Sequence, residues 1–382
     1  MIEFNKPFHA KNEKNYVIDA ITKGDIAGDR SYTKKCQEYF ENRWMFAKTM
    51  MTTSCTDALE MAALLVNIKP GDEVIAPSYT FVSTVNAFVL RGATIVFVDS
   101  EEGHPNMDVT KIEEKITKKT KVILPVHYGG NACRMDMLME YARHFKLHVI
   151  EDAAQAINSF FIDPSGNLLP LGSLGTFGTF SFHESKNISS GEGGLLAIND
   201  MSNAARAEIM WEKGTNRNAY LRGEVDRYEW IDIGSSFLPS DMLAAFLYGQ
   251  LECLDEIQNK REAIWEKYYA SLKQLESRGY FRMPEVPAYS TNNVHVFYLF
   301  CNSIEEATGL NKFLKSRGVE TAFHYQSLHR SMYYLSNNKE RIHLPNCDKF
   351  ANQLLRLPLH CSLSSADIDK VVEEINNYYR DI

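Results

Sequence analysis

The alternation of apolar strand patterns with helical patterns between residues 54 and 200 is the feature that most limits the possible folds. Short apolar runs such as Thr94–Val98 and Lys121–Val126 predict strands, and the amphipathic segment Met135–Phe145 predicts a helix. Strands separated by helices indicate a mostly parallel sheet, because each crossover places a helix on one face of it. We therefore expect an α/β fold.

Such a sheet binds its ligands at the carboxyl ends of the strands. Polar residues that directly follow predicted strands are therefore the first candidates for a site. They are Ser78, Asp99, Tyr128 and Asp152.

The pattern changes after about residue 200. Residues 214–232 are polar and aromatic without periodicity, and they predict a long loop of the kind that is often functional in compact proteins. Residues 240–275 predict a long helix, and the strand and helix patterns after it predict a smaller α/β lobe. We expect a large domain of residues 1–245, then a connecting helix and a small C-terminal domain, residues 246–382.

Charge and cysteine content exclude several classes of protein. The net charge of -8 disfavours a nucleic-acid partner, since binding a phosphate backbone requires a basic face. The seven cysteines are scattered without a CxxC pair, which argues against a disulfide framework or a thiolate metal site and favours a reducing compartment. No apolar stretch reaches the ~18 residues of a membrane helix. We expect a soluble cytoplasmic protein without a metal or a membrane partner.

Residues 175–199, GTFGTFSFHESKNISSGEGGLLAIN, carry the strongest chemical signal. A phenylalanine-rich strand leads to Lys186, and the glycine-rich loop Gly191–Gly194 follows before another strand. Most lysines lie on solvated faces, but Phe180 and Phe182 flank this one closely. A partly desolvated lysine has a lowered pKa, which Schiff-base chemistry requires. Lys186 is therefore a candidate nucleophile.

Three other segments supply what pyridoxal phosphate (PLP) needs besides a lysine. Asp152 ends a predicted strand and can hold the pyridine nitrogen protonated, so that the ring acts as an electron sink. Cys55 and Thr56 begin a capped helix, whose free N–H groups bind phosphate. Phe81 can cover the face of the ring. Together with Lys186, these residues predict a PLP site.

Each of these signals alone also has an ordinary structural explanation. Asp152 is a possible helix cap, and Phe81 a possible core residue. Ser54–Asp57 fits a simple capping box, and Gly191–Gly194 fits a tight turn. The order of all four along an α/β chain is much more specific than any one of them.

At these residues the chain resembles the DegT/DnrJ/EryC1/StrS family of sugar aminotransferases over nearly its whole length. The similar segments are Ile2–Asn5, Gly24–Gly28, Ser54–Thr56, Pro77–Thr84, Glu151–Gln155, Ser181–Gly194, Phe323–Tyr325, His329 and Leu355–Pro358. The resemblance implies the fold type I architecture of aspartate aminotransferase. That architecture has a large domain built on a mixed, mostly parallel sheet flanked by helices, followed by a smaller C-terminal α/β domain.

The resemblance also implies roles for individual residues. Lys186 would hold the cofactor covalently, and Asp152 would pair with its pyridine nitrogen. The remaining implied contacts are Cys55, Thr56 and Ser181 to the phosphate, Gln155 to the ring hydroxyl and Phe81 to the ring face. Family members that act as dehydratases carry histidine at the lysine position, and Lys186 argues against that branch.

The family is usually homodimeric, with active sites shared between the subunits. Many members place an asparagine of the partner subunit on the phosphate, and the matching position here is Ser236. Serine is shorter than asparagine, so this contact between subunits stays open.

Four segments resemble one branch of the family: Pro125–Tyr128, Phe182–Asn187, Glu212–Arg217 and Trp230–Ser236. That branch transfers the amino group of L-glutamate to C4 of dTDP-4-keto-6-deoxy-D-glucose. The products are dTDP-4-amino-4,6-dideoxy-D-galactose, used for enterobacterial common antigen, and 2-oxoglutarate. The cofactor passes through its pyridoxamine form between the two half-reactions.

Candidate substrate contacts follow from the same comparison, with ordinary alternatives. Four basic or polar side chains in or beside residues 214–232 are candidates to bind the nucleotide diphosphate: Lys213, Asn216, Arg217 and Arg222. The ordinary alternative is that they belong to a solvated loop. His324, Tyr325 and His329 can line the sugar side or serve as structural residues.

Three alternative functions stay open. They are production of the gluco epimer, amination of a nucleotide sugar at C3, and a non-catalytic PLP-binding regulatory role. A nucleotide hydrolase is disfavoured, because the chain has no GxxxxGK[ST] loop.

Overall fold

The computed structural model describes residues 1–338 and 341–380; the last two residues of the expected C-terminal domain lie outside this part. The strands are β1 (Lys48–Thr52), β2 (Glu73–Pro77), β3 (Thr94–Val98), β4 (Thr120–Ile123), β5 (His148–Asp152), β6 (Phe160–Ile162), β7 (Leu168–Pro170), β8 (Phe177–Ser181), β9 (Gly194–Ile198), β10 (Phe281–Arg282), β11 (Tyr298–Cys301), β12 (Ala322–Phe323) and β13 (Leu354–Arg356).

The α-helices flank these strands on both sides. They are α1 (Glu13–Lys23), α2 (Ser31–Trp44), α3 (Cys55–Leu65), α4 (Val82–Val89), α5 (Met135–Phe145), α6 (Ala204–Trp211), α7 (Arg217–Leu221), α8 (Asp241–Glu252), α9 (Leu254–Ser277), α10 (Ile304–Ser316), α11 (Met332–Asn337), α12 (Pro345–Gln353) and α13 (Ser365–Arg380). Among the described residues, no helix combines the length and the apolar character needed to cross a bilayer.

The main sheet has seven strands in the order β1-β9-β8-β5-β4-β2-β3. Strand β9 pairs antiparallel with both of its neighbours, while β3, β2, β4, β5 and β8 run parallel to one another. Consecutive residues of β4 alternate between two hydrophobic clusters, with Val122 in one and Ile123 in the other. Both faces of the sheet are therefore covered, which confirms the expected α/β architecture.

A smaller antiparallel sheet follows, in the order β10-β11-β13-β12. Its buried side chains share a third hydrophobic cluster with those of helices α9, α10 and α13, as shown by Leu299, Tyr268, Leu310 and Val371. The C-terminal strands and helices thus pack around a core of their own.

Two predicted elements differ from the structure. The long helix expected over residues 240–275 is two helices. Cys253 leaves the helical conformation, and its N–H bonds to the carbonyl of Gln250, three residues back instead of the four of an α-helix. The loop expected over residues 214–232 contains the short helix α7. No proline or glycine stands at Cys253 or at the first residue of α7, so the sequence does not mark either change.

The sheet places several polar side chains at one edge. Asp152 ends β5, Ser181 ends β8, and helices α3 and α4 begin at the same edge. Because the carboxyl ends of parallel strands meet there, residues far apart in the sequence become neighbours.

Candidate active site

A cavity of about 660 Å³ opens at the carboxyl edge of the parallel strands. Its walls come from α3, α4, the ends of β5 and β8, and the C-terminal segments around residues 295, 324 and 356. The lining includes nine residues singled out from the sequence: Cys55, Thr56, Phe81, Asp152, Gln155, Ser181, Lys186, His324 and Tyr325.

Lys186 lies in the turn that follows β8. Backbone bonds close this turn, from Phe182 N to Gly193 O (2.8 Å) and from Lys186 N to His183 O (2.9 Å). Phe182 is fully buried beneath it. Burial is the main cause that lowers the pKa of Lys186, the positive charge of Arg356 adds to the effect, and Asp152 opposes it. The turn therefore favours the neutral amine that nucleophilic chemistry requires.

Asp152 is 5% exposed and faces the same cavity. Its Oδ2 accepts a hydrogen bond from Thr84 Oγ1 (2.7 Å), and its Oδ1 accepts one from Ala154 N (3.1 Å). Burial raises the pKa of Asp152, while the two donors and the charge of Lys186 act in the opposite direction. Each oxygen keeps a further lone pair, so the carboxylate can still accept a hydrogen bond from a ligand.

The N-terminus of α3 forms another wall. Ser54 caps the helix by accepting a bond from Asp57 N (3.1 Å), and Cys55 and Thr56 occupy the first turn, whose N–H groups have no partner within the helix. A Cβ atom at Gly194 would lie 2.4 Å from Cys55 N, so only glycine lets β9 approach the helix this closely. Burial raises the pKa of the Cys55 thiol, which stays neutral.

Aromatic side chains form a further part of the wall. The Phe81 side chain is 55% exposed and its ring centroid lies 6.1 Å from that of Tyr325. His324 stacks on Tyr325 at 3.8 Å and shares a 2.6 Å hydrogen bond with the hydroxyl of Tyr128. Gln155 Nε2 donates to the hydroxyl of Tyr325 (2.6 Å), which leaves one amide hydrogen for a ligand.

The lining also has polar residues that the sequence did not single out as site residues. Thr84, Arg261, His295 and Arg356 are among them. Thr84 ends Pro77–Thr84, one of the segments that resemble the family. It lies three residues after Phe81, in the first turn of α4. The others come from segments around β11, β13 and α9, where sequence patterns indicate only strand or helix.

Six of the predicted cofactor and substrate contacts are absent from the cavity lining of this single chain, and so are Ser78, Asp99 and Tyr128, which follow predicted strands. His329 is buried elsewhere, where it bonds to Ser78 Oγ (2.7 Å) and lies 3.4 Å from Asp348 Oδ1. The basic side chains near α7 pair with local glutamates: Lys213 with Glu212, Arg217 with Glu212, and Arg222 with Glu208 and Glu224. Asn216 bonds within its own loop, and Ser236 is exposed at a short bridge to Glu212.

The groups around the cavity fit an aromatic aldehyde cofactor that carries a phosphate. A lysine with a depressed pKa, a carboxylate with spare acceptor capacity, a helix N-terminus and an exposed aromatic face surround one volume. These are the four groups that PLP binding requires.

Comparisons with known proteins agree with this geometry. The profile of the DegT/DnrJ/EryC1/StrS aminotransferase family matches residues 8–376. GDP-perosamine synthase of Caulobacter vibrioides is 30% identical over 372 residues, which cover 96% of this chain and 95% of that protein. The aminotransferase TlmJ of Streptoalloteichus hindustanus superposes with a TM-score of 0.90 at 27% identity, covering 100% of this chain and 99% of TlmJ.

A third protein shares the fold. The sugar aminotransferase Spr1654 of Streptococcus pneumoniae, described as putative and solved in its PLP form, has a TM-score of 0.89 at 24% identity, with 100% of this chain and 99% of that chain covered. The chain therefore belongs to the DegT/DnrJ/EryC1/StrS aminotransferase family, and it is a PLP-dependent sugar aminotransferase, as the sequence predicts.

Proposed function

We propose that the enzyme transfers the amino group of L-glutamate to C4 of dTDP-4-keto-6-deoxy-D-glucose, giving dTDP-4-amino-4,6-dideoxy-D-galactose and 2-oxoglutarate. The proposed amino transfer rests on one observation: Lys186, Asp152 and the N-terminus of α3 line the same cavity. The choice of sugar rests on the four segments that resemble the C4-aminating branch, of which Phe182–Asn187 contains the lysine itself.

Lys186 has two tasks in this proposal. Its amine would first hold the cofactor in place, and the Nζ, once free, would act as the general base that takes the Cα proton of glutamate. Both tasks need an unprotonated amine, which the burial of Lys186 favours. In the second half-reaction the same atom moves a proton in the reverse direction, at C4 of the sugar.

Asp152 and the first turn of α3 orient the cofactor. When bound, PLP supplies an aldehyde that condenses with amines and a ring that accepts electrons. Asp152 would accept a hydrogen bond from the ring nitrogen and so keep it protonated, while Thr84 holds the carboxylate in place. The N–H groups of Cys55 and Thr56, with the hydroxyl of Ser181, would bind the phosphate. Phe81 would cover the ring, and Gln155 would contact its hydroxyl.

We also propose a homodimer in which each subunit completes the site of its partner. The segment from residue 220 to 233 exposes seven large apolar side chains, including Trp230 at 80% exposure. An apolar surface of this kind is typical of an interface. In the dimer, Ser236 would approach the partner's phosphate site, and Lys213, Asn216, Arg217 and Arg222 would approach the diphosphate of the nucleotide sugar. The seven unpaired cysteines support a cytoplasmic location.

A GDP-linked keto sugar is the second candidate acceptor. One specific observation favours it: a relative that is 30% identical over nearly the whole chain is named for a GDP-linked product. The cavity of about 660 Å³ would have room for a sugar beside the cofactor, and its volume does not distinguish one nucleotide base from another.

The identity of the product tests the proposal. The enzyme is incubated with PLP, L-glutamate and either dTDP-4-keto-6-deoxyglucose or the GDP-linked 4-keto sugar, and the product is identified by mass spectrometry and NMR. We expect an axial C4 amine on the dTDP sugar. An equatorial amine indicates the gluco epimer, a C3 amine indicates another branch, and the absence of transfer to any keto sugar contradicts the proposal.

A further inference from the structure

A separate cavity of about 470 Å³ lies between the C-terminal sheet and the loop that follows β3. Gly103 reaches it from that loop, while α9, β11, α12 and the segment after β10 supply the rest of the wall. The residues that line it are all different from those that line the active-site cavity. Its volume is within the range of about 300–1,000 Å³ that small-molecule sites occupy.

Two hydrogen-bond donors in this wall have no partner. Tyr298 is 4% exposed, and its hydroxyl bonds to no group in the described part of the chain. The indole Nε1 of Trp265 is buried, also without an acceptor among the described residues. Leaving a buried donor unpaired is costly, so such groups normally have a ligand or a water as their acceptor. The two donors therefore mark a place where the cavity needs an acceptor.

Charges of both signs act on the Tyr298 hydroxyl. Burial raises its pKa, the positive charge of Arg282 lowers it, and the negative charge of Glu285 raises it further. Neither Arg282 nor Glu285 forms an ion pair within the described residues. Glu276 uses only one carboxylate oxygen, Oε1, which accepts a bond from Met283 N (2.7 Å). The wall thus carries one guanidinium and two carboxylates that no neighbouring charge neutralises.

This combination of groups favours a zwitterion. A simple anion would meet two carboxylates, and a simple cation would leave the guanidinium and both donors without an acceptor. A molecule with both charges can place its carboxylate against Arg282 and the Tyr298 hydroxyl, and its ammonium against the two glutamates. The wall also has apolar side chains, which are Met283, Pro284, Val286, Phe300 and Phe350.

We propose that this cavity binds a free α-amino acid with an apolar side chain. Such a molecule carries its carboxylate and its ammonium on one carbon, and its side chain contacts the apolar part of the wall. The site is distinct from the one that handles the amino donor, because the two cavities share no lining residue. The assignment is also independent of which keto sugar the enzyme aminates.

Calorimetry with L-phenylalanine tests the assignment on the pyridoxamine form of the enzyme, whose cofactor does not condense with an added amine. We expect saturable binding to the wild type. Two analogues separate the charges: 3-phenylpropionate lacks the ammonium, and 2-phenylethylamine lacks the carboxylate. Each should bind at least about tenfold more weakly than L-phenylalanine, as for the loss of a charge-assisted hydrogen bond.

Two variants identify the cavity, and each has a matched control. Tyr298→Phe and Arg282→Gln should each raise the Kd for L-phenylalanine about tenfold or more. Tyr268→Phe is the control for the first, because Tyr268 is also fully buried with no partner for its hydroxyl among the described residues, but is outside the cavity lining. Arg278→Gln is the control for the second, since Arg278 is exposed at the end of α9 and outside the lining.

Thermal melting separates a binding role of Tyr298 from a structural one. A buried hydroxyl without a partner does not stabilise the fold, so ligand-free Y298F and Y268F should melt at or above the temperature of the wild type. Saturating L-phenylalanine should raise the melting temperature of the wild type and Y268F more than that of Y298F. A ligand-free Y298F that melts well below the wild type would give the hydroxyl a structural partner and overturn the assignment.

The calorimetric outcomes that contradict the proposal are equally clear. If L-phenylalanine shows no saturable binding at millimolar concentrations, the cavity holds only solvent and the proposal fails. If it binds Y298F as tightly as Y268F, or R282Q as tightly as R278Q, it binds elsewhere. If 3-phenylpropionate or 2-phenylethylamine binds as tightly as L-phenylalanine, the ligand is not recognised as a zwitterion.

Discussion

The hydroxyl of Thr84 donates a 2.7 Å hydrogen bond to Oδ2 of Asp152, which ties the first turn of α4 to the end of β5. This bond lowers the pKa of Asp152 against the effect of burial. We therefore predict that Thr84→Val raises this pKa further, so that the ionised fraction falls earlier as the pH decreases. The acid limb of the kcat/KM profile should move to higher pH, with a loss of about tenfold or more at neutral pH. Thr84→Ser, which keeps the donor, should behave like the wild type; a T84V profile that overlays the wild type argues against the role of Asp152.

Gly194 sets the distance between β9 and the N-terminus of α3. A Cβ atom there would meet the backbone of Ser54 and Cys55 at 2.3–2.4 Å, so Gly194→Ala must displace the turn proposed to hold the phosphate. We predict that PLP affinity falls at least tenfold, measured by fluorescence titration of the apoenzyme. Gly103→Ala is the control, since nothing lies within 4 Å of its added Cβ. Equal PLP affinity in the two variants is incompatible with a phosphate site at this turn.

His104 should make the fold sensitive to acid. It is 6% exposed, its Nδ1 accepts a bond from Asn106 N (3.1 Å), and burial lowers its pKa to about 4 from the usual 6.5. The lowered pKa means that this stabilisation is complete above about pH 6.5 and is lost as the pH falls towards 4.

A shift of this size corresponds to about 3 kcal/mol. Burial raises the pKa of Glu101 to about 7, so Glu101 titrates in the same range, and its effect on stability has the opposite sign. The pH dependence of the wild type alone therefore does not separate the contribution of His104. His104→Asn keeps a short acceptor but no titratable ring. Urea unfolding from pH 7 to 4 should show that the wild type loses its advantage over H104N as the pH falls; a constant difference refutes the prediction.

Trp230 is the most exposed aromatic side chain of the segment from residue 220 to 233. If this segment forms the proposed dimer interface, Trp230→Ser should increase the monomer fraction in sedimentation velocity and reduce turnover, since each site would lose the partner's groups. Met45→Ser is the control, because Met45 is 83% exposed at the end of a different helix. Dimers of W230S that are as stable as those of M45S would exclude this surface from the interface.

The sequence predicts the parts of the site that have a local signal. Lys186 between a strand and a glycine loop, Asp152 at a strand end and the capped start of α3 are each visible in a few residues, and all three line the cavity. Arg356 and His295 reach the cavity only because β13 and β11 pair in the small sheet, and no short-range pattern records that pairing. For the same reason the sequence does not predict β1, because its pairing with β9 joins residues that are far apart in the sequence.

The break at Cys253 has no local signal either, because the residues on both sides favour helix, and the backbone bond to Gln250 that ends the first helix is visible only in the structure. Local propensity thus predicted the type of element, while tertiary packing decided where it ended.

The covalent link between Lys186 and PLP is the central claim, and reduction with borohydride tests it most directly. The holoenzyme is reduced, digested and sequenced by mass spectrometry, with Lys186→Ala and the exposed neighbour variant Glu184→Ala treated in parallel. We predict a yellow holoenzyme, a reduced cofactor attached to Lys186 in the wild type and E184A, and no turnover or attachment at residue 186 in K186A. Attachment to another lysine in the wild type, or turnover that survives in K186A, would contradict the account.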